Sequence, residues 1–451
     1  ADGSGALSLR SGGLSVVLPS AVSRAHTLAA NVTLVDPQTW FVTNNGAGSA
    51  SLDVTGVISD GTPPGDLAKT GDGTLTLKAA NTYQGVTTVS NGTLAITHPQ
   101  ALGSTLGATV VRGLSGGRLQ VSGGIVVAEP LVLNGERPNF GYSLYNSGGS
   151  NVWSGPVTRV GSTRINVAWG STLVMTGGAS GGGGTFVVNA SGVFVVAEKP
   201  LLIGSNSFWT DSAGLTVLGV SGNVWGETIL GNGTLRTDAP NALPASTKLK
   251  MGVDYAAGAT LNLNGRDQTV AQFFTNTTTA GVRVVTSALP ATLTVNQAIS
   301  TNFDGFLTGA VRLCMAGTGT LTLSGTNSTS TGGAVVSNGT LAVTGAKGIG
   351  PGPVLLCGGT LRCAVPAPGA LAVGSLTWFP TGTVAVALGG DGTCGRLALS
   401  AALARGAGGT LTFDFGNTGA PNKTYTLMTF ASTSLQASDF RCRKLGAGTP
   451  S

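Results

Sequence analysis

The chain has 451 residues, of which 41% are hydrophobic and only 9% are charged, and it contains 73 glycines. This apolar content excludes an intrinsically disordered chain, because disordered segments lack the apolar area that a packed core requires. The net charge of +6 comes from basic residues that stand singly, so no basic stripe indicates a nucleic-acid partner. No apolar run is long enough to cross a bilayer as a helix, and no transmembrane segment is predicted.

The chain begins with short alternating segments. Residues 1–5 have the composition of a mature end left after removal of a secretion signal, so a secreted chain is expected. Residues 7–18 predict two short strands around a Gly-Gly pair, and residues 25–42 continue the alternation. A Pro-Pro-Gly loop at 63–65 then precedes the clearest pattern of the chain.

Residues 69–96, KTGDGTLTLKAANTYQGVTTVSNGTLAI, form a repeat unit of three predicted strands. Residues 73–77 alternate apolar and hydroxyl side chains with the period of two that is typical of a half-buried strand. A second strand is predicted over 86–89 and a third over 93–96. The Asn-Gly pair at 91–92 turns the chain between them, because both residues tolerate positive φ.

The same phrase returns over 317–343, and the remaining sequence is strand and turn without a helix of ten residues or more. In this second copy the pattern also places Val335 and Val336 inward. Together the two copies predict a common inward set: Leu75, Leu77, Val89, Leu94, Ile96, Leu321, Leu323, Leu341 and Val343. The tetrad NGTL begins at Asn91, Asn232 and Asn338.

Short strands separated by Gly or Asn turns leave three architectures: a sandwich, a propeller or a solenoid. An antiparallel sandwich would not repeat an ordered three-strand phrase, whereas one coil of a β-helix contains two or three short strands joined by bends. The prediction is an all-β chain with a parallel β-helix over 1–368. Longer alternating strands predict a C-terminal β continuation or cap over 369–451.

Residues 69–96 resemble the autotransporter-associated β-strand repeat, with its pattern K-x-G-x-G-x-L-x-L, N-x-Y-x-G-x-T-x-V and G-x-L. The matching residues are 70–75, 81–83, Gly85 and 91–94. The copy at 317–343 keeps the glycines and leucines but has Ser328 where the family prefers tyrosine. The resemblance implies a right-handed parallel β-helix that is secreted or exposed on a bacterial cell surface, as an autotransporter passenger is. It implies no reaction.

The residues themselves predict no enzyme, no cofactor and no metal. Polysaccharide lyases and glycosidases need converging carboxylates, whereas Asp60, Asp66 and Asp72 flank a loop and are interpreted as a solvated turn. A serine hydrolase needs a histidine after its serine, and none follows His98. No C-x-x-C pair occurs, and His26 is remote from His98, which argues against zinc. A polysaccharide-active β-helix enzyme, a lyase or glycosidase, stays the alternative.

Four tryptophans between residues 153 and 225 are candidates for stacking against sugar rings. Packing in the core or at corners is the favoured interpretation, because Trp169 and Trp225 fall within alternating strands. Trp153, Trp209 and Trp225 are kept as candidate carbohydrate-contact residues for a surface polysaccharide.

The five cysteines all lie in the last third of the chain: Cys314, Cys357, Cys363, Cys394 and Cys442. Their odd number leaves at least one thiol without an intramolecular partner. Cys357 and Cys363 are candidates for a disulfide across the Gly-Gly bend at 358–359, although facing strands of one coil could hold them too far apart.

These observations predict a structural or adhesive protein of the bacterial cell surface. Open solenoid ends expose unpaired N–H and C=O groups, so assembly of copies through their ends into a homo-oligomer or fibre is expected.

Overall fold

The computed structural model describes residues 6–19, 22–46, 48–136, 141–253, 258–275, 281–416, 419–420 and 422–444. The mature end predicted at 1–5 and the polar tail at 445–451 lie outside the described residues. The chain divides into two compact units, Ala1–Gly226 (unit 1) and Glu227–Ser451 (unit 2). The two units together contain about 17 coils of a parallel β-solenoid.

Unit 1 consists of short strands joined by bends, with one 3-10 turn at Gly113–Ser115 among its described residues. Its strands are Ala6–Leu9, Leu14–Leu18, Arg24–Leu28, Asn31–Leu34, Gln38–Asn44, Ala50–Val54, Ile58–Asp60, Leu67–Thr70, Thr74–Leu77, Thr87–Val89, Gly92–Ile96, Thr109–Arg112, Gly117–Val121, Val126–Val127, Leu131–Asn134, Leu144–Asn146, Ser150–Trp153, Val157–Val160, Thr163–Val167, Thr172–Met175, Ala179–Gly182, Phe186–Ala190, Val193–Val196, Leu201–Leu202 and Ser207–Leu218.

Unit 2 is built in the same way, and its described residues add one 3-10 turn at Ala437–Asp439. Its strands are Glu227–Thr237, Lys248–Met251, Gly258–Asn262, Gln268–Val270, Gln272–Thr275, Val282–Val295, Thr301–Phe303, Phe306–Met315, Thr320–Leu323, Ala334–Val336, Thr340–Val343, Val354–Leu356, Thr360–Cys363, Ala370–Val373, Leu376–Trp378, Thr383–Val386, Arg396–Leu399, Ala402–Arg405, Leu411–Phe415, Met428–Thr429, Ser432–Thr433 and Phe440–Lys444.

The core of each unit is a set of inward columns, because parallel strands in register place like side chains one above another. One column of unit 1 contains Leu52, Leu75, Leu94, Leu119, Leu144, Ile165 and Val188. One column of unit 2 contains Leu321, Leu341, Leu361, Val384 and Phe413. All of these side chains are buried.

The solenoid prediction is confirmed, and every member of the predicted inward set is buried. One inward assignment in the second copy is wrong. In the strand Ala334–Val336 it is Ala334 and Val336 that are buried, so Val335 points outward. Ala334 and Val336 correspond to the buried Thr87 and Val89 of the first copy, and three consecutive apolar residues hide that alternation in the sequence.

The handedness of the coils and a boundary after residue 368 stay predictions. The chain passes from unit 1 to unit 2 between Gly226 and Glu227, which is a different position from the predicted boundary after residue 368.

The NGTL turns have a common local cause. Gly92, Gly233 and Gly339 adopt φ of 68°, 73° and 60°, in the left-handed region that glycine enters without strain. The preceding asparagine accepts a hydrogen bond from each glycine N–H through Oδ1, at 2.8–2.9 Å. At Asn91 and Asn338 the Asx contact and the positive φ separate one strand from the next, whereas Asn232 and Gly233 lie within the strand Glu227–Thr237.

A buried ammonium closes the corner of the first repeat. Lys69 has no exposed surface, and its Nζ donates to the carbonyl oxygens of Thr70 (2.8 Å), Gly71 (2.8 Å) and Asn91 (3.2 Å). Burial lowers the pKa of Lys69 to about 8, although the nearby Asp72 carboxylate partly opposes that change. The lysine that opens the repeat therefore joins two successive corners of the backbone.

Candidate binding face

An outward surface of unit 1 carries aromatic, amide and guanidinium groups on five successive coils. We call it the aromatic face; its members are Arg118, Gln120, Tyr142, Tyr145, Asn166, Asn189 and Trp209. Gln120, Tyr145, Asn166 and Asn189 are register partners, so they form one column with a step of about 4.8 Å. They alternate with buried neighbours in their strands, which is why they point outward.

Arg118 and two tyrosines form a fixed cluster on this face. The Tyr142 and Tyr145 ring centroids lie 4.9 Å apart with an interplanar angle of 48°. The Arg118 guanidinium carbon is 5.3 Å from the first centroid and 5.7 Å from the second, within the range of a cation–π contact. Arg118 Nε and Nη2 also donate to Thr93 Oγ1 at 3.2 and 2.8 Å. The rings are thus held in place before any ligand arrives.

Arg164 lies on the coil that follows Tyr145 and is only 5% exposed. Its Nε is 3.6 Å from Glu136 Oε2, and its Nη1 is 3.8 Å from Asp211 Oδ2. One guanidinium therefore compensates two carboxylates that come from different coils. Such a partly buried network fixes the positions of its members more than it stabilises the fold.

The structure separates the three candidate tryptophans. Trp153 and Trp225 are 0% and 1% exposed, and Trp225 stacks on Phe208 with ring centroids 4.8 Å apart. A ring without exposed surface cannot stack on a sugar, so these two candidates are corrected to core residues. Trp209, a member of the aromatic face, is half-buried. It is the register partner of Val187 in the preceding coil. A role for Trp209 in carbohydrate contact stays a prediction.

Trp169 is 87% exposed, and the expectation that it packs in a strand is wrong. It follows the end of the strand Thr163–Val167 and precedes Gly170, whose φ is +71°. Trp169 therefore lies in the turn after the strand and not on one of its faces.

The acidic group near the Pro-Pro-Gly loop caps backbone groups of adjacent coils. Asp60 accepts from the Gln84 N–H at 2.6 Å, and Asp66 accepts from the Val86 N–H at 2.8 Å. Asp72 accepts from the Thr43 hydroxyl at 2.7 Å, a hydrogen bond that holds the pKa of Asp72 below its usual value. These carboxylates connect coils rather than converge on one point.

The five cysteines differ in burial, from the buried Cys363 and Cys394 to the exposed Cys442. Cys363 is buried and donates to the Arg396 carbonyl at 3.3 Å, and burial raises the pKa of Cys363. Cys394 makes a similar contact with the Thr426 carbonyl at 3.4 Å. A bridge between Cys357 and Cys363 stays a prediction.

Among the described residues, no group of three His, Cys, Asp or Glu side chains is placed to hold a metal ion. Within the same ranges, no helix has the length and apolar character needed to span a membrane.

Comparison with known families identifies the repeats. The passenger-associated transport repeat matches residues 67–96 and 315–343, which confirms the resemblance seen at 69–96 and 317–343. No significant match was found among curated proteins or among solved structures. The repeat suggests secretion or a cell-surface location. The chain carries two passenger-associated transport repeats on a parallel β-solenoid, a combination that suggests an autotransporter passenger domain.

Proposed function

We propose that this chain is an adhesive and structural passenger of a bacterial cell surface, and that its aromatic face binds a surface polysaccharide. The observation that carries the proposal is the cluster of Arg118, Tyr142 and Tyr145, which presents flat rings and a guanidinium on two successive coils. Trp209 lies three coils beyond Tyr145, at about 14 Å if each step is ~4.8 Å. A ligand that reaches both positions must be extended along the solenoid axis.

The polar members of the face favour a glycan over a peptide strand. Gln120, Asn166 and Asn189 offer amide donors and acceptors between the aromatic positions, and sugar hydroxyls are both donors and acceptors. A peptide that adds to a sheet needs an exposed backbone edge. On this face the strands are paired to the coils on both sides, so side chains rather than backbone groups meet the ligand.

Binding is favoured over catalysis because the acids of the face are engaged. Glu136 and Asp211 both contact Arg164, whereas a glycosidase needs one carboxyl that stays protonated and a second that acts on the sugar. The acids near the Pro-Pro-Gly loop are likewise occupied by backbone and hydroxyl donors.

Affinity electrophoresis through gels that contain bacterial surface polysaccharides tests the proposal. Tyr145→Ala and Trp209→Ala are each expected to weaken retardation about fivefold, since one aromatic contact contributes on the order of 1 kcal/mol. Phe41→Ala is the matched control, because Phe41 is an exposed aromatic of unit 1 on another sheet. Retardation that is unchanged in both variants would refute a binding role for the face.

Assembly of copies through the solenoid ends belongs to the same proposal. Parallel strands at an open end can pair with a second copy, which would give a homo-oligomer or a surface fibre. Light scattering on the purified chain, with and without residues 1–11, is the test. A chain that stays strictly monomeric at high concentration would remove the fibre from the proposal.

A further inference from the structure

Over six successive coils of unit 1, one corner is a column of glycines that a single glutamate interrupts. The strands Leu67–Thr70, Thr87–Val89, Thr109–Arg112, Leu131–Asn134, Val157–Val160 and Ala179–Gly182 pair successively in register. The first residues of these strands are register partners of one another. The residues that lie two places before them in the chain are Gly65, Gly85, Gly107, Glu129, Gly155 and Gly177. Five of these six coils thus have no side chain at this position.

The glycines are required by close approach of the coils. A Cβ added at Gly85, Gly107, Gly155 or Gly177 would lie 1.9–2.4 Å from the carbonyl oxygen of the corresponding residue in the preceding coil. Atoms at that distance overlap, so this corner strongly disfavours any side chain. Glu129 is therefore an exception that the packing of the coils does not explain.

Glu129 is also poorly compensated. It is 4% exposed, and its single hydrogen bond among the described residues comes from Thr109 Oγ1 to Oε1 at 3.4 Å. It forms no ion pair within that part of the chain. Burial accordingly raises the pKa of Glu129 to about 7. Among the described residues, the buried Glu129 carboxylate therefore has no cationic group to compensate its charge.

Glu129 lines a pocket of about 350 Å³. Its walls include Pro99, Gln100, Ser104, Thr105 and Val126, and among the described residues Glu129 is the one acidic or basic residue that lines it. The volume is at the lower end of the range for small-molecule sites. The pocket is thus large enough for a ligand of roughly monosaccharide size and holds one negative group.

We propose that this pocket binds a small protonated primary amine, whose ammonium group pairs with the Glu129 carboxylate. Thr109 occupies Oε1, so the carboxylate offers one oxygen to a ligand. That geometry suits an ammonium, which donates singly, better than a guanidinium, which binds both oxygens at once. The hydroxyls of Ser104 and Thr105 line the same pocket and supply acceptors for the remaining ammonium hydrogens.

A metal ion fits this site less well. Calcium takes six to eight oxygen ligands and magnesium requires an octahedral set, and both are held mainly by carboxylates. The pocket provides one carboxylate, and the described residues contain no cluster of three metal-binding side chains.

The proposed pairing depends on pH in a defined direction. A cationic ligand binds the ionised carboxylate, so affinity falls as pH drops through about 7 and Glu129 takes up a proton. The Glu129 charge also acts on Tyr83; burial first and then this charge raise the pKa of the Tyr83 phenol, which stays neutral across this range. His98 directly precedes the pocket residues Pro99 and Gln100 in the chain, and its Nδ1 accepts from the Gln100 N–H.

Calorimetric titration of the full chain with glucosamine and with ethanolamine at pH 8 and pH 6 tests the proposal, with glucose and ethylene glycol as neutral matched probes. The amines are expected to bind at pH 8 and at least fivefold more weakly at pH 6, and the neutral probes are expected not to bind. Glu129→Gln should abolish amine binding, whereas Glu198→Gln, at an exposed glutamate in the related sequence Glu-Lys-Pro-Leu, should leave it unchanged.

Glu129→Gly separates the ligand role from folding. It installs the residue of the neighbouring coils, so the protein should fold at least as stably as the wild type and still lose amine binding. Amine binding that survives in the Gln and Gly variants would overturn the proposal. Binding of calcium chloride in place of the amines, or of no probe at all, would overturn it as well.

Discussion

The pH dependence of stability around Lys69 follows directly from its burial. Its ammonium has no exposed surface and contacts three carbonyl oxygens, with a pKa lowered from 10.5 to about 8. The unfolded chain therefore holds this proton up to about pH 10.5, and the folded chain releases it near pH 8. Between these two values the unfolded state binds more protons, so the free energy of unfolding rises with pH.

Lys69→Met isolates this contribution. Met315 occupies the equivalent place in the second repeat and is likewise fully buried, so the substitution copies a residue that this corner accepts. A difference of about 2.5 pKa units corresponds to roughly 3 kcal/mol. The stability of the wild type relative to Lys69→Met should rise by about that amount from pH 7.5 to pH 10.5.

Urea denaturation of both proteins, followed by circular dichroism across this pH range, measures the difference. The titration of other groups is common to both proteins and cancels in the comparison. A stability difference that stays constant, or that falls as pH rises, would refute the reasoning. It would mean that the three carbonyl contacts outweigh the loss of hydration and keep the ammonium pKa near its ordinary value.

Three further predictions concern the core, the aromatic face and the thiols. Leu77→Asp should prevent its coil from folding, because an unpaired charge would be buried, whereas the outward Thr74→Asp should change the denaturation midpoint little. Arg118→Ala should weaken polysaccharide retardation by freeing both tyrosine rings, and a retardation equal to that of the wild type would contradict this. Mass spectrometry without reductant should detect the mass loss of one disulfide if Cys357 and Cys363 are bridged; five free thiols would exclude the bridge.

The solenoid could be predicted from sequence because each strand alternates with a period of two and the same phrase occurs twice. Leu75 and Leu94 belong to one copy of the repeat, and their register pairing follows from it. Val335 shows where this reasoning fails. Its strand contains three consecutive apolar residues, so the alternation has no fixed phase until the preceding turn sets it.

The candidate site was harder to predict because its contacts join coils that no repeat pattern aligns. Arg118 is 25 residues from Thr93, and the intervening sequence departs from the repeat. Trp153 and Trp209 both occur in strand-like sequence, yet Trp153 falls on an inward position and Trp209 on an outward one. The sequence indicated tryptophan as the residue type for sugar contact. Whether a given tryptophan points inward or outward depends on the register of its strand.

The glycine column illustrates the same limit. Glu129 and Pro130 directly precede a predicted strand, as many polar residues do. This local sequence does not reveal that the equivalent positions in the adjacent coils are Gly107 and Gly155. The exception becomes visible once the register of successive strands aligns the three positions.

The most direct test of an adhesive rather than catalytic passenger is to incubate the protein with the polysaccharide that retards it. Bound protein and polysaccharide chain length are then measured on the same sample by size-exclusion chromatography. We expect retention that is lost in the Tyr145→Ala, Trp209→Ala double variant, with polysaccharide of unchanged length. Shortened polysaccharide chains in the wild-type sample, absent from a protein-free control, would contradict the account.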